Sequence, residues 1–110
     1  MKHAAVYTQT FDLVTWLLRH VEGGPVAAAL HVDALALLDH VVLALKGFDR
    51  RRHVDEADAV NAVLRVRLRL AHELDIIDER RLLFCAERLD EIGRQLGGWI
   101  RHLDRGGEAR

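Results

Sequence analysis

Cysteine, proline and aromatic residues are scarce in this chain, and each scarcity removes a class of explanation. The 110 residues hold one cysteine (Cys85), one proline (Pro25), three phenylalanines, two tryptophans and one tyrosine. A lone cysteine closes no intrachain disulfide, so the chain is not a disulfide scaffold and suits a reducing compartment. With one proline and a composition rich in Leu, Ala, Arg and acidic residues, little interrupts a helix, and an all-α fold is expected. Charge of one sign is lacking too. Sixteen Lys+Arg stand against 17 Asp+Glu, for a net charge of −1 with the seven histidines neutral, so no global field calls for nucleic acid or a membrane surface. There is no long uncharged apolar run: the stretch Val26 to Leu45 carries His31, Asp33, Asp39 and His40, which argues against a membrane span. The segment Met1 to Tyr7 lacks the apolar core of a signal peptide. A soluble cytoplasmic protein is the expectation.

Motifs for chemistry are missing as well. Helical bundles that hold two metals place Glu-x-x-His on inward faces, yet no glutamate here has a histidine three residues on, and no two histidines lie three or four apart. The simplest helical zinc site is thereby removed, and no cofactor is expected. Cys85 falls on an apolar seam and reads as a small buried hydrophobe. The glycines Gly93, Gly97 and Gly98 form no phosphate loop, since no strand precedes them and no Lys-Ser/Thr pair follows. Nothing points to an enzyme.

What is present is apolar periodicity. Half the residues are hydrophobic, enough to exclude a disordered chain, and 110 residues suit a single domain spanning 1–110. Four helices are expected, at about 8–22, 25–46, 55–74 and 78–104, with a frayed tail at 105–110. Thr8 or Thr10 is expected to cap the first, and Gly23, Gly24 and Pro25 to separate it from the second. Gly47 is expected to end the second. Residues 48–54 then form a charged loop containing Arg50, Arg51 and Arg52, and Asp55 caps the third helix. The run Val63 to Leu70 alternates as a strand would, but it sits inside a longer helical pattern with no turn residues. In the last helix Leu82, Cys85, Leu89, Ile92, Leu96, Trp99 and Leu103 recur at alternating spacings of three and four, a heptad seam. Short connections make the whole an antiparallel up-down-up-down four-helix bundle.

The first two helices are apolar over more of their circumference than one core requires. A soluble monomer seldom leaves such faces bare, so self-association into a closed homo-oligomer is expected. Two basic groups, Arg50, Arg51, Arg52 and Arg65, Arg67, Arg69, are the candidates for nucleic-acid contact. No aromatics are interleaved with them, so a platform for stacking bases is not expected. Gly93 and Gly97, four apart, mark a face where another helix can approach closely, with Trp16 and Trp99 as the bulky residues around it.

Phe11-x-Leu13-x-x-Trp16-Leu17-Leu18-x-x-Val21-Glu22-x-x-Pro25 resembles the first helix and turn of a family of small bacterial four-helix-bundle proteins. The family includes proteins encoded in intervening sequences of 23S ribosomal RNA genes and the accessory variability determinant (Avd) of diversity-generating retroelements. Ala86-Glu87-Arg88-Leu89-x-Glu91-Ile92-Gly93-Arg94-x-Leu96-Gly97-Gly98-Trp99-Ile100 resembles its closing signature. The resemblance implies a non-enzymatic protein, a homo-oligomer, and a pentameric barrel of five bundles. It also implies, as the alternative role, a nucleic-acid-binding accessory to a reverse transcriptase. This chain departs from the accessory pattern in having Val26-Ala27-Ala28-Ala29-Leu30 where those proteins carry a basic, aromatic stretch, and in its near-zero charge.

Overall fold

The computed structural model describes residues 3–106. It comprises four α-helices, α1 (Ala4–His20), α2 (Gly24–Lys46), α3 (Arg50–Glu73) and α4 (Glu79–Asp104), with no strand among the described residues. Each helix packs on its neighbours in sequence and α1 closes the ring against α4, while the diagonal pairs stay apart. With connections this short the helices alternate in direction, forming a rod of 44 × 20 × 20 Å. The core is one continuous column. Leu13 and Leu17 of α1, Leu30 and Leu37 of α2, Leu64 and Leu68 of α3, and Leu89, Ile92 and Leu96 of α4 are all sealed from solvent.

The α2–α3 pair is the most intimate and the α1–α4 pair the thinnest. Small residues explain the first: Ala34 and Ala44 of α2, and Ala57 and Ala71 of α3, are fully buried, so the two backbones approach closely. Aromatic rings fill the second. Trp16 packs on Phe84 with ring centroids 4.9 Å apart, and His3 stacks on Trp99 at 4.0 Å.

The expected α4 seam forms, with Cys85, Leu89, Ile92, Leu96, Trp99 and Leu103 buried and Leu82 partly so. Asp78 caps the helix by accepting from the Arg81 amide at 2.9 Å. The α1–α2 turn follows its glycines, Gly23 and Gly24 both having φ near 90° (96° and 81°), backbone that side chains with a Cβ seldom adopt. Gly47 closes α2 in the left-handed region, with the Phe48 amide reaching back to the Leu43 carbonyl.

Two helix starts differ from expectation. α1 begins at Ala4, not near Thr8, and Thr10 is a buried residue of its second turn rather than a cap. The earlier start lets Val6 enter the core. α3 begins at Arg50, so Arg50, Arg51 and Arg52 are its first turn rather than a loop, and Asp55 is not its cap. Burial again decides: His53 and Val54 turn inward, and the Arg50 Nε donates to the Ala44 carbonyl at 2.9 Å, covering the end of α2. Of the expected tail, Arg105 and Gly106 form a turn; residues 107–110 lie outside the described residues.

Candidate functional site

The six arginines do not come together. Arg52 and Arg65 are thirteen positions apart on one helix, about 20 Å of rise, so α3 carries two basic groups at different heights. In the first group, Arg51 holds Asp55 through Nε at 3.1 Å and also pairs with Asp104 of α4. The hydrogen bond to Asp104, then that to Asp55, raises its pKa above the usual arginine value. Arg52 lies 3.7 Å from Asp49. In the second group the side chains diverge. Arg65 leans toward α4, where it pairs with Asp90 and donates to the Asn61 Oδ1 at 3.1 Å. Arg67 leans the other way and grips Asp33 of α2 at 2.7 Å. Arg69 is exposed and has no acidic partner among the described residues. A continuous basic patch is therefore not formed within one chain.

Within the chain, no backbone of a neighbouring helix comes within 4 Å of a Cβ placed on Gly93 or Gly97. A Cβ on Gly93 would meet the Arg65 guanidinium at 3.6 Å and the Asn61 Oδ1 at 3.7 Å, and one on Gly97 would meet Arg101 at 3.5 Å. What lies over this face is arginine, not backbone. The tryptophans stand elsewhere: Trp16 is near the start of α4 against Phe84, and the buried Trp99 is stacked on His3. Within the chain the glycine face meets Asn61, Arg65 and Arg101, and neither Trp16 nor Trp99 is among the atoms nearest to it.

Two polar arrangements carry no motif. Asn61, 3% exposed, donates from Nδ2 to the Leu89 carbonyl of α4 at 3.1 Å while its Oδ1 accepts from Arg65. His40 of α2 and His53 of α3 bring their Nδ1 atoms to 2.9 Å, so one ring donates and the other accepts. No group of three or more His, Cys, Asp or Glu is placed to hold a metal among the described residues. Spacing alone could have suggested Asn61, which falls four residues after Ala57 and three before Leu64.

The feature that stands out is apolar and faces outward. Val63, Val66 and Leu70 of α3, Val32 and Leu35 of α2, and Tyr7, Phe11 and Leu18 of α1 are exposed. Tyr7 borders α2, sharing a shallow apolar hollow with Val42 and Leu45. The strand-like alternation of α3 is now explained: Leu64 and Leu68 face in, Val63, Val66 and Leu70 face out, and the arginines occupy the flanks between. For the same reason α2 is long and apolar enough, by length and composition, to cross a membrane. Soluble monomers seldom leave large apolar patches bare.

Among known families, the bAvd-like family model matches residues 10–103. No curated protein matches the chain, and no solved structure does.

Proposed function

The chain belongs to the bAvd-like family, and from that premise we propose that it is a non-enzymatic, homo-oligomeric scaffold whose work is binding. The observation that carries this reading is the set of outward apolar side chains on α1, α2 and α3. Large apolar side chains left exposed on three of the four helices support an interaction surface. Burying it between copies satisfies it without any further partner. The resemblance of both sequence motifs to proteins that build five-bundle barrels supports five subunits. A reducing, cytoplasmic setting accords with a single thiol held in the core.

Sedimentation or light scattering tests the assembly. The expected mass is five times that of the 12.5 kDa chain, and a 12.5 kDa species at micromolar concentration overturns the reading. The alternative, a nucleic-acid accessory to a reverse transcriptase, is supported by Arg69, which has no acidic partner among the described residues, and weakened by the partners held by the other five candidates. Its test is retention of duplex DNA or RNA in about 50 mM salt, where phosphate contacts are strong. We expect no retention. Binding that falls steeply with salt establishes the accessory role in its place.

A further inference from the structure

We propose that His40 and His53 form an acid-opened latch between α2 and the first turn of α3. It is closed while a single proton lies between the two rings, and it opens when each Nδ1 carries its own. The latch belongs to the single chain and does not depend on how many copies assemble.

The geometry is that of a proton-sharing pair. The Nδ1 atoms lie 2.9 Å apart and the ring centroids 5.2 Å apart. The second distance exceeds the first by a ring's width, so the rings meet head-on with each nitrogen aimed at the other. That alignment suits a hydrogen between them. A metal ion would need the two lone pairs to converge at an angle beside that line.

Three proton counts are open to the pair. With both rings neutral, one Nδ1–H donates and the other Nδ1 accepts. A first added proton goes to the Nε2 of the donating ring, which leaves the bond in place and makes it charge-assisted. A second has only the accepting Nδ1 left to take. Two N–H groups and two positive charges then face each other with nothing to accept, and the rings must separate.

The start of α3 is the part that yields. His53 is 9% exposed, so its ring does not reach water unless its backbone moves. Asp49 precedes the helix with φ 44° and gives it no side-chain cap, so this turn opens at low cost. The Arg50 Nε bond to the Ala44 carbonyl ties the same turn to the end of α2. Charges around the pair are mixed. α2 supplies Asp39 and Lys46, and α3 supplies Asp49, Arg50, Arg52 and Glu56. α4 brings Asp104 only as far as Arg51, and α1 has no acid in its first turn. No carboxylate lies within ion-pair distance of either ring among the described residues, so none is placed to hold the second charge.

The test is amide hydrogen exchange of the full chain, comparing wild type with His40→Gln at about pH 7.5 and about pH 5, either side of histidine's usual range. A glutamine amide can donate to His53 or accept from it, so the variant stays closed in both conditions. Circular dichroism checks that it folds. At the higher pH the two proteins should exchange alike over residues 50–57 of α3. At the lower pH the wild type should exchange about tenfold faster there, the equivalent of one lost hydrogen bond, with residues 64–71 still matched. The remaining histidines and the intrinsic pH dependence of exchange are common to both proteins and cancel. Should His40→Gln lose helicity, the reciprocal His53→Gln serves, with the same expectation. Equal exchange at both pH values overturns the latch. So does a wild-type excess of the same size at both, which marks a packing difference without a proton. An excess that spreads to residues 64–71, or loss of helicity in both variants, means that the pair holds the whole bundle and overturns a local latch.

Discussion

The Asn61 side chain of α3 donates to the Leu89 carbonyl of α4 across 3.1 Å in the buried seam between the two helices. Its other end is also occupied, Oδ1 accepting from Arg65. A buried amide with both ends satisfied does not tax stability, and it discriminates against helix registers in which it would be orphaned. Asn61→Ala is expected to cost about 1 kcal/mol, a typical net hydrogen-bond loss, measured as a lower urea midpoint. An unchanged midpoint would show that the amide does not hold the seam.

The α4 glycines give a second expectation. A methyl on Gly97 would meet the Arg101 tip at ordinary contact distance, 3.5 Å, so Gly97→Ala should recover helix propensity of about 1 kcal/mol and raise the melting temperature. Gly93→Leu is different. Its side chain would need the space of the Arg65 guanidinium, displacing it from Asn61 and Asp90, and a loss of about 1–3 kcal/mol is expected. A drop in stability for Gly97→Ala would mean that this face packs against something outside the single chain.

How much was readable from the residues depended on whether one period was present or two. α4 has a single apolar stripe, and its seam, cap and length were all legible. α3 has two stripes on opposite sides, so inner Leu64 and Leu68 and outer Val63 and Val66 merge into an alternation that mimics a strand. Helix starts failed for a related reason. Thr8, Thr10 and Asp55 have the right side chains for caps, but burial of Val6, His53 and Val54 extends each helix past them. The arginine pairings with Asp33, Asp90 and Asp104 join residues far apart in sequence, and no local pattern encodes them.

Thr10 is fully buried, and its hydroxyl has no hydrogen-bond partner among the described residues. An unsatisfied buried hydroxyl is a cost, and valine has the same branching without it. Thr10→Val is expected to stabilise the fold by about 1 kcal/mol, read from thermal unfolding. A destabilised variant would show that the hydroxyl has a partner, such as a bound water, in solution.

Cys85 lies on the α4 seam with no exposure, and loss of solvent around the thiolate pushes its pKa up to about 12. The first consequence is chemical: in the native protein near pH 8 the thiol should ignore a disulfide reagent, and it should react fully once guanidinium unfolds the chain. The second concerns stability. Burial favours the neutral thiol, so the folded chain keeps a proton that the unfolded chain releases near pH 9. Between that point and about pH 12 the unfolded state binds fewer protons than the native one, and stability falls as pH rises. Below the unfolded value the contribution is fully present. Comparison with Cys85→Ala isolates the effect, because the arginines and the lysines titrate alike in both proteins. The gap in unfolding free energy between wild type and variant should be constant up to about pH 8 and should shift against the wild type above pH 9. A gap that stays flat through pH 11, or a native thiol that reacts at once, would mean that water reaches Cys85 through the α4 seam.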